Sequence, residues 1–313
     1  MVKIPRVLIA GCATAALVLT SCAGEQDVDA TSLTIVTTES SLDHAMALAV
    51  ADYVAEQSIE VDLEQHHEPD DVFAALEADA QTADDHARIG VVTAHQDPTM
   101  EENPLRVPES LEIVTQAPAE LGLVPATSTV TAARFQLHQD EAADQPLAPA
   151  CDQQTWLHVH TPEHEVAATA SALADLGCEP EFAAAPPEDT ESYAALAEKL
   201  IVEDDTVALL YSIDPMIPDQ GLATLDVVTD QWPHSNVIAV ADPEVEDPLT
   251  DHIATVLDAL DSDAATDLLR GYHNAHTSSS DLVYDVEHAI RYWLAARGLA
   301  EQNTVSDIST DND

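Results

Sequence analysis

The sequence predicts an α/β fold in two lobes, on three observations. Residues 33–93 alternate strand and helix signals in the order β-α-β-α-β, which argues an open, mostly parallel sheet covered on both faces. Residues 156–211 repeat that alternation as a second unit with its own turns. The 313 residues, 46% of them apolar, exceed one small core and suffice for two.

The elements follow in order. Leu33–Thr38 (LTIVTT) is a short β-branched run and reads as a strand. Ser41–Gln57 carries apolar residues at helical spacing, at Leu42, Met46, Ala49, Val50 and Tyr53, with Ser40 or Ser41 to cap it. Glu39, Ser40 and Asp43 stand at this strand-to-helix loop, where capping is their expected role. Ile59–Leu63 alternates as a half-buried strand does. Asp70 or Asp71 opens a helix through Val72, Phe73, Leu76 and Ala80, and Ile89–Thr93 is strand again. The middle reads as strands at Leu111–Thr115, Leu121–Val124 and, more weakly, Phe135–Leu137, followed by Trp156–Thr161. Pro162 suits a helix start, and that helix runs through Val166, Ala170, Leu173 and Leu176 to Gly177. A strand at Glu181–Ala184, a helix from Asp189 to about Ile201 and a strand at Thr206–Tyr211 complete the second unit. Strands at Thr224–Val228 and Val237–Val240 then lead into three helices, about Pro248–Leu260, Asp263–Tyr272 and Ser280–Arg297. In the last, Val283, Val286, Ile290, Trp293 and Leu294 share a face, Arg291 and Arg297 stand near the negative end, and Gly298 is placed to stop it.

The first residues predict export. Lys3 and Arg6 precede an uncharged apolar run, Val7–Thr20, too short to span a bilayer with ease. It ends in Leu19-Thr20-Ser21-Cys22, which resembles the bacterial lipobox. Residues 1–21 are therefore expected to be a lipoprotein signal peptide, with Cys22 acylated and the mature protein tethered through 22–32 to the outer face of the cell membrane. Residues 301–313 read as a polar disordered tail.

Four cysteines then sort themselves. Cys12 lies in the leader and Cys22 carries lipid. Cys151 and Cys178 remain in an oxidising compartment, where a disulfide is the expected state, closing a loop of about 26 residues and contributing ~3 kcal/mol on the chain-entropy model. A pair of metal ligands is the weaker alternative, because no Cys or His stands at metal-site spacing.

Charge excludes some partners. The chain holds 59 acidic against 9 basic residues, two of the basic ones in the leader, and Lys199 is its only lysine outside that leader. Such a surface does not bind nucleic acid, whose affinity comes from neutralised phosphates. It reads chiefly as a solvated acidic shell that maintains solubility. No G-x-S-x-G elbow, HExxH or Gly-rich phosphate loop is present, and with eight glycines in all a nucleotide cradle has little to be built from. Neither catalytic residues nor a cofactor are expected.

Several stretches in the right order resemble the substrate-binding lipoproteins of osmoprotectant ABC importers, which bind glycine betaine, choline or carnitine. They are LTIVTTESSLDHAMALAVADYVAEQ at the start, LVPATSTVTAARFQLHQDEAAD after the first lobe crossing, VALLYSIDPMIPDQGLATLDVVTDQWPHSNVIAVADPEV at the second, and VEHAIRYWLAARGLAEQ at the end. The match covers about residues 33–300. It implies a periplasmic-binding-protein-like fold of type II, with two strand crossovers forming a hinge. Lobe one would be 33–116 plus 213–300 and lobe two 117–212. A small cationic or zwitterionic solute, such as a quaternary ammonium osmoprotectant, would sit in the cleft of a monomer, and an ABC permease would be the membrane partner.

The resemblance departs at the site. A quaternary ammonium donates no hydrogen bond and is held on aromatic faces, which the family supplies with several tyrosines. Here Ile89–Gln96 contains none, and His95 falls where one would be; only 4% of the chain is aromatic. The remaining candidates for ligand contact are His95, Tyr211 at the proposed hinge, Asp214 (otherwise a turn former before Pro215), Trp156 and Trp232. Tyr53, Tyr284 and Trp293 lie on helices and read as core. Two rivals stay open. One is a structural or degenerate envelope lipoprotein. The other is a metal-binding lipoprotein using His158, His160 and His164 or His66 and His67, drawn from 14 histidines. A hydrolase is the third and weakest.

Overall fold

The computed structural model describes residues 32–79, 86–96, 105–139, 151, 153–158, 163–184, 190–203, 205–225, 234–243, 245, 247–277 and 285–301. The expected leader, Cys22, the tether, Trp232, Tyr284, His160 and nearly all of the tail lie outside these residues. Among the described residues no helix is long and apolar enough to cross a membrane.

Nine strands, β1 (Ser32–Thr38), β2 (Glu60–His66), β3 (His86–Gln96), β4 (Glu112–Thr127), β5 (Thr155–His158), β6 (Phe182–Ala184), β7 (Thr206–Tyr211), β8 (Ala223–Thr224) and β9 (His234–Ala241), form one sheet in the order β2-β1-β3-β9-β4-β7-β5-β6, with β8 paired to β4. β1, β2 and β3 run parallel, as do β5, β6 and β7. The antiparallel members are β9, between β3 and β4, and β4 itself. β4 is the strand common to both parts: Glu112–Gly122 pairs with β9, and Leu123–Thr127 continues against β7.

Helices cover both faces, giving two cores on each side of β4. In the first half α1 (Ser41–Ala55), α7 (Asp247–Asp258), α8 (Ser262–Thr277) and α9 (Val286–Ala296) bury one face of the sheet, around Met46, Val50, Ile89, Leu121, Ile253 and Trp293. α2 (Pro69–Asp79) covers the other. It lies so close that a Cβ on Gly90 would stand 3.0 Å from Leu76 Cδ1 and 3.1 Å from Val72 Cγ1, and the same Cβ would meet Val240 Cγ2 of β9 at 2.8 Å, which is why β3 carries a glycine there. In the second half α3 (Thr129–Gln139) and α4 (Glu163–Asp175) pack on Phe135, Trp156 and Val207, and α5 (Thr190–Val202) and α6 (Met216–Asp219) on Leu200, Leu210 and Met216.

Chain ends of the helices follow capping chemistry. Ser40 Oγ accepts the Asp43 N–H at the start of α1, and Asp285 that of His288 at the start of α9. Gly177 and Gly298 adopt φ of 77° and 73°, and the residue after each returns an N–H to the helix, Cys178 to the Leu173 carbonyl and Leu299 to that of Leu294. The first of these turns brings Cys178 to Cys151, and the two form a disulfide with Cα atoms 5.4 Å apart.

Three expectations need correction. Phe135–Leu137 is not a strand but part of α3. Ser128 Oγ accepts the Thr131 N–H to start that helix, and Thr131, Ala132 and Phe135 are buried at helical spacing. The two strands at 111–115 and 121–124 are one, β4. Its register shifts between Ile113 and Thr115 and between Gln116 and Glu120; Pro118, which has no N–H to give the ladder, sits in the second shift, and the Ala119 N–H leaves the sheet for the Leu260 carbonyl. Finally, the segment after residue 212, assigned to lobe one, packs mostly with the second half. Ile213 lies in the first core, but Met216 and Leu222 join the Leu200 cluster, Leu225 joins Trp156, and β8 pairs with the end of β4. The chain returns to the first half between Leu225 and β9.

At the β1–α1 junction Asp43 is buried, its carboxylate accepting the Thr38 and Thr93 hydroxyls at 2.5 Å each. Burial raises its pKa above the ordinary 3.8, and the Thr38, Thr93 and Ser40 hydrogen bonds offset part of that rise. A raised folded-state value means that the folded chain holds this proton more tightly. Ionising Asp43 therefore costs stability progressively as pH rises from 3.8 through the raised value. The expected outcome is that Asp43→Asn gains stability relative to the parent at pH 7 and loses that advantage as pH falls to 3.8 and below. Asp43→Ala, which removes the acceptor of the buried Thr38 hydroxyl and of the half-buried Thr93 hydroxyl, costs about 1–3 kcal/mol. Denaturant titrations at stepped pH measure both. A second expectation concerns the staple in the other half: reducing Cys151–Cys178, or replacing both by Ser, lowers unfolding free energy by ~3 kcal/mol, read as a fall in the denaturation midpoint.

Candidate functional site

Strand pairing places the site. Ser235 on β9 lies opposite His95 on β3 and opposite Leu121 on β4. Two residues along β4, Leu123 lies opposite Tyr211 at the end of β7. His95, Ser235 and Tyr211 are thereby gathered where β4 passes from the first half to the second, although 140 residues separate the first pair in sequence.

The second half answers with a carboxylate. Glu165 stands in the first turn of α4, where the helix dipole favours negative charge. Its Oε1 accepts the Ser235 hydroxyl at 2.8 Å and its Oε2 the Tyr211 hydroxyl at 3.1 Å. His95 Nδ1 is 3.8 Å from Oε1. The side chains of Glu165 and His95 are 3% and 13% exposed, so this contact is shielded from solvent. Beside it the Gln96 side-chain amide donates to Asn236 Oδ1 at 2.5 Å. A second contact between the halves is an ion pair at the surface, in which the Arg270 guanidinium of α8 takes both oxygens of Asp219 on α6 at 2.9–3.1 Å. Both groups are about a third or more exposed, and exposed pairs of this kind contribute at most about 1 kcal/mol.

Of the residues that the sequence nominated, the structure brings together two, His95 and Tyr211. Asp214 is close in sequence, but its Oδ1 accepts the Met216 N–H at 2.7 Å and its own N–H goes to the Tyr211 carbonyl, the geometry of a turn that opens α6. Trp156 does not join the cluster. It is 1% exposed, packed edge-on between Phe135 and Phe182, with its indole N–H given to the Cys151 carbonyl. Trp232 lies outside the described residues. Trp293 is buried and donates to the Ala264 carbonyl, and Tyr53 packs against His252. Sequence reading missed Glu165 and Ser235. Glu165 reads as an ordinary acid in a helix's first turn, and Ser235 as the polar entry to an apolar strand; neither has a spacing that marks it, because the contact is made across the sheet.

Ser235 bonds to the carboxylate and not to the imidazole, so the trio lacks the base-to-nucleophile hydrogen bond of acyl-transfer sites. Among the described residues no three His, Cys, Asp or Glu side chains are grouped to hold a metal. His66 pairs with Glu64 and His67 with Glu39. What remains is a carboxylate with two hydroxyls, an imidazole and a phenol ring at the line where two halves meet, a place where small-molecule sites are commonly found.

Comparison with protein-family models finds no match, and no curated protein matches the chain. Solved structures do. A choline-binding protein of an ABC transporter, in complex with choline, superposes with a TM-score of 0.57 at 17% identity, over 85% of this chain and 89% of that one. The structure of a glycine betaine/carnitine/choline ABC transporter gives 0.56 at 13%, over 85% and 99%. Apo YehZ from Escherichia coli gives 0.55 at 13%, over 87% and 100%. The chain thus has the two-lobed type II α/β fold seen in these structures, the fold class that the sequence resemblance implied.

Proposed function

We propose that this chain is the solute-capturing component of an ABC import system, held by a lipid on Cys22 at the outer face of the cell membrane. Its cargo is a small cationic or zwitterionic solute taken up where the halves meet. The observation that carries the reading is the cluster of His95, Tyr211, Ser235 and Glu165, contributed by both halves of a fold that is shared with choline- and betaine-associated proteins. A solute bound there would fix the angle between the halves, and the closed form would be what a permease recognises. The fold's general use for capture without chemistry, and the absence of an activated nucleophile in the cluster, favour a receptor over an enzyme. One observation favours a second reading, that of a structural envelope lipoprotein: Glu165 is bonded to the protein's own Ser235 and Tyr211 hydroxyls and so ties the halves together.

A thermal-shift screen with betaine, choline, carnitine, ectoine and proline separates the two. A receptor gains about 2.7 kcal/mol of apparent stability at a hundredfold excess of its solute over the dissociation constant, and Tyr211→Ala or His95→Ala shrinks that gain. A flat response to the whole panel favours the structural reading. The anchor is checked independently. Labelled palmitate is expected to enter the wild-type protein in bacteria, whereas Cys22→Ala is expected to take up none and to appear in the soluble fraction.

A further inference from the structure

We infer that Glu165 sets the charge preference of the site, admitting a monocationic solute and turning away one that carries its own carboxylate. This rests on the receptor reading and narrows it to a solute class. Two hydroxyls and an imidazole at strand ends are the donors that would hold the acid group of a zwitterion. Here the protein's own carboxylate has taken both hydroxyls, with Ser235 and Tyr211 donating at 2.8 and 3.1 Å, and the His95 imidazole stands beside it at 3.8 Å. Glu165 and Tyr211 come from the second half, Ser235 and His95 from the first, and the Glu165 side chain is nearly inaccessible to solvent, so its charge is poorly screened. A guest carboxylate seeking the same donors meets a like charge, and a guest cation meets an opposite one. One turn further along the same face of α4, Thr169 is fully buried and its hydroxyl has no hydrogen-bond partner among the described residues, a polar group suited to a guest's neutral hydrogen-bonding end. A cation bearing a hydroxyl fits this set, and a cation bearing an acid does not.

Choline and glycine betaine make a matched pair, since both carry a trimethylammonium and they differ in a hydroxyl against a carboxylate. Calorimetric titration of the purified protein is expected to show choline binding at least about tenfold more tightly. Glu165→Gln, which keeps the shape and removes the charge, is expected to bring the two within about threefold, and Glu165→Asp to retain the preference. Betaine binding equal to or tighter than choline in the wild type overturns the inference, as does a ratio that Glu165→Gln leaves unchanged. If that variant does not fold, Ser235→Ala decides together with the wild-type ratio: it leaves the carboxylate in place, and a lost preference for choline would overturn the inference. If neither ligand binds but ectoine or proline does, the inference falls and the receptor reading stands. If no solute binds, the receptor reading falls first.

Discussion

The structure depends on one backbone constraint, the pairing of β4 in two directions. A sixteen-residue strand is long for a globular protein, and it is tolerated because its two ends serve different partners, β9 and then β7. The ladder hydrogen bonds fix where each half begins relative to the other. They also decide which side chains meet at the seam, because moving the register by one residue would turn every side chain to the opposite face. Ser235 and Tyr211 face Glu165 together because their partners on β4, Leu121 and Leu123, are two residues apart. Site geometry here is a consequence of sheet register.

That dependence explains what could be read from the sequence and what could not. Strand and helix periodicity located nearly every element, since those signals are local: Leu33–Thr38 and the helix ending at Gly177 formed where composition placed them, and the terminal helix stops at Gly298 as expected but begins at Val286, behind the Asp285 cap, and not at Ser280. The errors came where local pattern and long-range pairing disagreed. Phe135 and Leu137 look like alternation, yet the hydroxyl of Ser128 and a buried face at 131, 132 and 135 impose a helix. Pro118 looks like the end of a strand, yet the strand continues because its flanking irregularities absorb the missing donor. Of the site, His95 and Tyr211 were visible because they end strands. Glu165 and Ser235 were not, since nothing within a dozen residues of either distinguishes them.

The scarcity of cations shapes the rest. With nine basic residues against 59 acidic ones, several of the described arginines are shared between two acids or stacked on a ring, while Arg88 pairs with Glu64. Arg270 takes Asp219 and Asp267, Arg291 takes Asp52 and Glu287, and Arg297 lies 4.4 Å over the Trp293 ring while approaching Asp267. The Glu165 contact contrasts with these. It is met by neutral hydroxyls and an imidazole in a shielded place, where charge interactions are stronger than at the surface. The shielded carboxylate thus stands apart from the solvated ion pairs of the acidic exterior.

The helix that carries Glu165 is held at its other end by a covalent bond. Its last turn closes through Gly177 onto Cys178, which is joined to Cys151. Sliding or rolling of that rod along the second core is resisted by the sulfur bridge some three turns away from the carboxylate. The aim of an acidic side chain at the seam thus has a redox history: it is fully braced only once the Cys151 and Cys178 thiols have been oxidised to the bridge.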